Sequence, residues 1–153
     1  MRGEERAISP LLTEALGLDC IVLTSFDTDR FGTFTREIER TGTQLDAALG
    51  KIGSPYSWGA NGPDSFDCSG FTSYAFKAAG VSLPRVSRAQ AGAGKRVSRS
   101  DLKPGDLVFY YSPISHVAIY VGNGKIIHSP RPGKTVSYAP VDQMPFNTAA
   151  RVL

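Results

Sequence analysis

The stretch Asp67-Cys68-Ser69-Gly70-Phe71 decides how this chain is read, because it sets a thiol just ahead of a good helical run. Phe71, Tyr74, Ala75, Ala78 and Ala79 recur at helical spacing, and Gly80 supplies a stop. Asp67 is then the natural N-cap. A cysteine at the first helical position meets unpaired backbone N–H groups and the positive end of the helix dipole, both of which favour thiolate over thiol. With an ordinary pKa of about 8.5, only a small fraction of a cysteine is ionised near neutrality, so a nucleophilic Cys68 also requires an imidazole. Taken alone, the cysteine is equally well read as a small buried hydrophobe at a helix start.

The only two histidines lie downstream, in Ser115-His116-Val117-Ala118-Ile119-Tyr120-Val121 and Lys125-Ile126-Ile127-His128. These β-branched runs flank Gly122-Asn123-Gly124 and read as a hairpin. A three-residue loop over Gly122 to Gly124, with Gly124 in the left-handed region, pairs Val121 with Lys125. His128 then falls opposite Ala118 and diagonal to His116 on one sheet face. A two-residue Asn123-Gly124 loop slips the register by one and sends the histidines to opposite faces. The three-residue loop is the expectation. It lets His116 serve Cys68 as general base while His128 bonds the other imidazole nitrogen and orients the ring.

Six motifs in order carry a resemblance: Pro55-Tyr56-Ser57-Trp58-Gly59, Phe66-Asp67-Cys68-Ser69-Gly70-Phe71, Leu83-Pro84-Arg85-Val86-Ser87, Leu102-Lys103-Pro104-Gly105-Asp106-Leu107-Val108-Phe109, His116-Val117-Ala118-Ile119-Tyr120 and Ile127-His128-Ser129-Pro130. Over roughly residues 42 to 153 the chain resembles the NlpC/P60 cell-wall cysteine peptidases. The resemblance implies a papain-like α+β fold, with the nucleophile Cys at a helix start packed on an antiparallel β-sheet. It also implies hydrolysis of peptidoglycan stem peptides, most often at the amide between D-γ-glutamate and a diamino acid such as meso-diaminopimelate. Carried across, Cys68 resembles the nucleophile, His116 the general base and later acid, and His128 the third member. Tyr56 matches a tyrosine whose hydroxyl lies near the oxyanion, where the Cys68 backbone N–H is the second donor. Asp67 matches a residue that receives the stem-peptide amine in some relatives. Trp58, Ser69, Ser87, Arg88 and Ser115 fall along the implied substrate groove. After Tyr-x-Trp-Gly, relatives often carry another Gly where this chain has Ala60, which bears on subsite shape more than on the triad.

Composition bounds the remaining classes. At 153 residues the chain holds one well-formed core. It shows neither an apolar run long enough to span a bilayer nor a secretion signal at its start, so membrane insertion is not expected. Two cysteines are too few for a disulfide framework, and Cys20 reads as a buried strand thiol not bridged to Cys68. No short-spaced ligand pair suggests a metal, and no cofactor is expected. The net charge of +3 is uneven: residues 1–50 carry nine acidic and five basic groups, and residues 51–153 five and twelve. Arg85, Arg88, Lys95, Arg96, Arg99 and Lys103 gather around Ala91-Gly92-Ala93-Gly94, as a solvated basic loop or as an attraction to an anionic polymer. The cell wall is the favoured polymer over nucleic acid, since no aromatic residues are interleaved and no nucleic-acid motif is present.

Residues 1–41 read as an N-terminal extension, accessory or regulatory, and residues 42–153 as the catalytic domain. Ser9-Pro10 opens a short helix through Leu16 that stops at Gly17. Cys20 to Phe26 and Phe31 to Ile38 read as a strand pair, Thr41-Gly42 as a boundary, and Thr43 to Leu49 as a short helix. The expectation is a monomeric cysteine endopeptidase at the cell envelope or outside the cell, acting on peptidoglycan stem peptides. A non-catalytic wall-binding module, or an amidase or thiol acyltransferase on the same scaffold, is the alternative.

Overall fold

A computed structural model describes residues 28–153, with side chains from Arg36 onward. Helix α1 spans Thr28–Leu49, α2 spans Cys68–Ala78 and a single turn, α3, spans Ser87–Gln90. The strands are β1 (Lys95–Val97), β2 (Leu107–Tyr110), β3 (His116–Gly122), β4 (Lys125–His128), β5 (Ser137–Pro140) and β6 (Phe146–Arg151). They form one sheet in the order β1-β6-β2-β3-β4-β5, with every neighbouring pair antiparallel.

The expected strand Phe31 to Ile38 is instead helical, and the expected helix Thr43 to Leu49 is the end of the same 22-residue element. Phe31, Thr33, Phe34 and Thr35 favour a strand locally, but buried Ile38, Gly42, Leu45 and Ala48 recur at helical spacing. That stripe gives α1 a face to bury against α2, and tertiary burial outweighs local propensity. Position 41/42 falls inside α1, and Ile38 upstream of it already belongs to the core. The helix from Ser9, the strand from Cys20 to Phe26 and Cys20 itself lie outside the described residues. Among the described residues, no helix is long and apolar enough to cross a membrane.

The sheet is covered on both faces. Leu107, Phe109, Val117, Ile119 and Ile127 pack with Leu45, Phe71 and Phe76 of the helices. The alternate residues Val108, Tyr110, Ala118 and Ile126 form a second cluster with Ala139 and Val141. Period-2 alternation therefore buries both sides of β2, which reads as a continuous apolar run.

The helix carrying Cys68 is held tightly at its start. A Cβ on Gly70 would sit 2.1 Å from the Ala60 carbonyl oxygen and 2.9 Å from the Asn61 Cα, so only glycine lets α2 approach that backbone. Gly70→Ala is expected to destabilise the protein by about 1–3 kcal/mol. Gly124→Ala, which meets no atom within 4 Å but keeps a φ of +72°, should cost about 1–2 kcal/mol through backbone strain alone. Urea unfolding midpoints with helical content and cysteine accessibility in parallel separate the two, because only the Gly70 change should also disturb Cys68.

Candidate active site

Asp67 caps α2 as its sequence position foretells, accepting from the Gly70 N–H at 2.7 Å. The same carboxylate accepts from the Gly59 N–H at 3.0 Å, from Ser69 Oγ at 3.4 Å and from Arg85 Nη2 at 3.0 Å. One buried side chain thus ties together the turn after Tyr56, the start of the cysteine helix and the segment entering α3. Arg85 completes the bracket by donating to Ser69 Oγ at 2.8 Å. Behind it, buried Gln90 donates to the carbonyls of Ser69 and Pro84 and accepts from Thr72 Oγ1, which pins α3 to α2.

The hairpin reaches the expected result by an unexpected route. Its connection is the two-residue Asn123-Gly124 turn, with φ of 54° and 72°, closed by the Gly122–Lys125 pair. A bulge between Tyr120 and Gly122 then absorbs one residue and restores the register to Tyr120–Ile126 and Ile119–Ile127. The slip that a two-residue turn would cause is cancelled, and extending the register sets His128 level with Ala118. His116 Nε2 and His128 Nδ1 lie 2.8 Å apart, with the rings at 75°. That bond occupies one imidazole nitrogen of His116 and leaves Nδ1 for the cleft. Ser129 Oγ donates to the Phe66 carbonyl at 2.7 Å, locking the end of β4 to the backbone two residues before Cys68.

Cys68 and His116 line one cleft with Tyr56, Trp58, Asp67, Ser69, Arg85, Ser87 and Ser115. Trp58 is 87% exposed at its rim. Arg88 is exposed and is not among the lining residues; Arg85, counted in the sequence with the basic surface run, takes that place. Its position in Leu83-Pro84-Arg85-Val86-Ser87, two residues before a lining serine, is the signal that points to it. Of that basic run, Arg85 and Arg99 are paired with Asp67 and Asp142, so the segment presents less free charge than its composition suggests.

Burial sets the electrostatics. It pushes the Cys68 thiol up, while the backbone of Val117, next to His116, and the helix-start backbone of Ser69 and Cys68 pull the other way. Burial lowers His116 to about 3, helped by His128, and lowers His128 to about 4, helped by Arg131. Tyr56 is raised by burial and by the nearby Cys68 and Asp67. From the sequence, the helix start is expected to favour thiolate over thiol. Here burial opposes the helix start at Cys68 and favours the neutral form of both imidazoles.

The sheet with its cysteine-bearing helix defines the papain-like α+β class. Residues 53–151 match the NlpC/P60 family, and the chain belongs to that family. It is 51% identical over 107 residues to a probable endopeptidase of Corynebacterium glutamicum, covering 70% of this chain and 51% of that one. To the probable endopeptidase p60 of Listeria welshimeri it is 60% identical over 80 residues, covering 51% and 15%. The chain therefore spans about half or less of these relatives. Among solved structures, the NlpC/p60 domain of the peptidoglycan hydrolase SagA superposes with a TM-score of 0.68 at 38% identity, over 72% of this chain and 97% of that one. An NlpC/P60 family protein from Bacillus cereus gives 0.70 at 33%, over 74% and 40%.

Two pH experiments test this electrostatic reading. A histidine held neutral in the fold and titrating at about 6.5 when unfolded stabilises fully above that pH, and the contribution is lost on acidification toward the folded values of about 3 and 4. Thermal midpoints should thus fall from pH 6.5 to pH 4, and less steeply in His128→Gln. The rate of Cys68 alkylation by iodoacetamide should climb through the alkaline range; a plateau extending below neutrality would reveal a resting ion pair instead.

Proposed function

We propose that the chain is a cysteine endopeptidase that cleaves peptidoglycan stem peptides, at the amide joining D-γ-glutamate to the following diamino acid. Family membership supports the class of substrate. The observation that carries the chemistry is the 2.8 Å bond between His116 Nε2 and His128 Nδ1, in a cleft shared with the Cys68 thiol. With the Nε2 proton of His116 donated to His128, Nδ1 holds a lone pair and acts as base toward the thiol.

Burial disfavours both the thiolate and the imidazolium, so in this reading proton transfer accompanies attack. Cys68 sulfur adds to the γ-carbonyl carbon as its proton passes to His116 Nδ1. The oxyanion that forms is met by the Cys68 backbone N–H and the Tyr56 hydroxyl, whose raised pKa keeps it a donor. His116 then returns the proton to the leaving amine, the C–N bond breaks and the acyl-enzyme remains. Water, deprotonated by the same imidazole, releases the acid and the thiol. Ser69 and Ser87 line the acyl half of the cleft beside Asp67, and exposed Trp58 offers an aromatic face at its rim. This reading places the enzyme at the cell wall, acting as a monomer.

Mass spectrometry of purified muropeptides incubated with the intact chain should show new fragments with a free diamino-acid amine. Cys68→Ala should yield none, and His128→Ala should lower kcat roughly 10²- to 10⁴-fold. Cleavage that persists in Cys68→Ala, or no cleavage by the intact chain, would overturn the proposal.

A further inference from the structure

Tyr110, the last residue of β2, is fully buried and is the cross-strand partner of His116. Both side chains therefore stand on one face of the sheet, with ring centroids 6.0 Å apart and planes at 38°. The cleft has a second lobe beyond His128, where one turn carries Arg131 and Lys134, and Ser115, His116 and Pro130 belong to both lobes. Tyr110 lines neither lobe, so it meets the imidazole without facing the cleft.

The phenol is fixed at its far end. Its hydroxyl donates to the Val141 carbonyl at 2.8 Å, and the Val141 N–H donates to the Gly124 carbonyl at 2.8 Å, in the turn that joins β3 to β4. Burial, with the nearby Asp142, raises the phenol's pKa and keeps it a donor. The backbone beneath the ring is braced as well. Between Phe109 and Tyr110 the pairing with β6 skips Asn147, whose side-chain amide donates to the Tyr111 carbonyl at 2.8 Å. Tyr111 holds a φ of +72°, a strained backbone for a tyrosine, with its N–H bonded to the Pro145 carbonyl. A bulge beside a strained residue is the kind of irregularity that aims a side chain.

His116 has use for such a brace. Its bond to His128 occupies Nε2 alone, and a single hydrogen bond does not fix the plane of a ring. A change of plane turns the Nδ1 lone pair away from its target while the histidine bond survives. Fixing the plane takes a second surface, and the anchored ring of Tyr110 supplies one. We propose that Tyr110 is a positioning residue for the general base: its ring, tied through the hydroxyl to Val141, holds the His116 imidazole in the plane that keeps Nδ1 turned to the Cys68 thiol. This rests on the proposed role of His116 as base to Cys68.

Alkylation of Cys68 by iodoacetamide near neutral pH reads thiol activation with no peptidoglycan present. Tyr110→Leu, which removes ring and anchor, should slow it about tenfold, and Tyr110→Phe, which keeps the ring and loses the anchor, about threefold, both within the coupling found between side chains in contact. In a His116→Ala background the same substitutions should leave the rate unchanged, because no imidazole is left to aim. Urea midpoints check that each variant is folded; should Tyr110→Leu fail to fold, Tyr110→Phe decides alone. A loss of equal size with and without His116, or no loss in folded variants, would make Tyr110 a packing residue only and overturn the inference. On muropeptides the Tyr110 variants should lower kcat by similar factors at unchanged KM, and a rise in KM alone would also overturn it. Coupling in alkylation without any cleavage would sink the substrate assignment and leave this inference standing, whereas cleavage without coupling would do the reverse. His116→Ala protein alkylated as fast as the unsubstituted chain would remove the base, and this inference with it.

Discussion

Everything at this site hangs on one buried carboxylate. Asp67 is 8% exposed and collects four donors from the Gly59 turn, the first turn of α2 and Arg85. An N-cap bond alone contributes about 1 kcal/mol. A carboxylate withdrawn from water costs several, so its partners are required rather than incidental. Because those partners come from separate segments, satisfying the charge also fixes the relative positions of Tyr56, Cys68 and Arg85. Electrostatic necessity and catalytic positioning are here met by the same bonds.

That economy explains what can be read from the residues alone. The cap, the cysteine at the first helical position and the Gly80 stop are local, and each follows from side-chain chemistry within a turn or two. The pairing of the histidines is legible only in outcome. A loop-length argument requires three residues in the connection, whereas the chain uses two and inserts a bulge at Val121, because Asn123 and Gly124 both accept positive φ and the tighter turn suits the twist of the strands. Bulges depend on which residues the neighbouring strands must bury, and that information is not local. The same holds for α1, where aromatic and β-branched residues suggest a strand and the stripe from Ile38 to Ala48 decides otherwise.

Arg85, Gln90 and Ser129 were the least legible members of the site. The place of Arg85 before Ser87 points to the cleft, but what separates an arginine that completes a buried bracket from one that faces water is Asp67, 18 residues away. Gln90 is silent in the sequence because its four bonds reach back to α2 and to the Pro84 carbonyl. The one Ser129 bond to the Phe66 carbonyl joins β4 to the backbone before Cys68 across 63 residues. Such long-range polar contacts hold the Cys and His elements together and leave no periodic trace.

The charge distribution along the cleft then acquires a direction. In the lobe beside Cys68, Arg85 is neutralised by Asp67, so that side recognises its ligand mainly by shape, hydrogen bonds and the exposed face of Trp58. In the lobe beyond His128, Arg131 and Lys134 have no carboxylate partner among the described residues. Between the two lobes lies the buried imidazole pair, whose burial favours the neutral form in which a base can accept a thiol proton. Were His116 protonated, it could no longer take up the proton of Cys68. Burial that depresses both histidines therefore keeps the base available beside a turn that carries two cations.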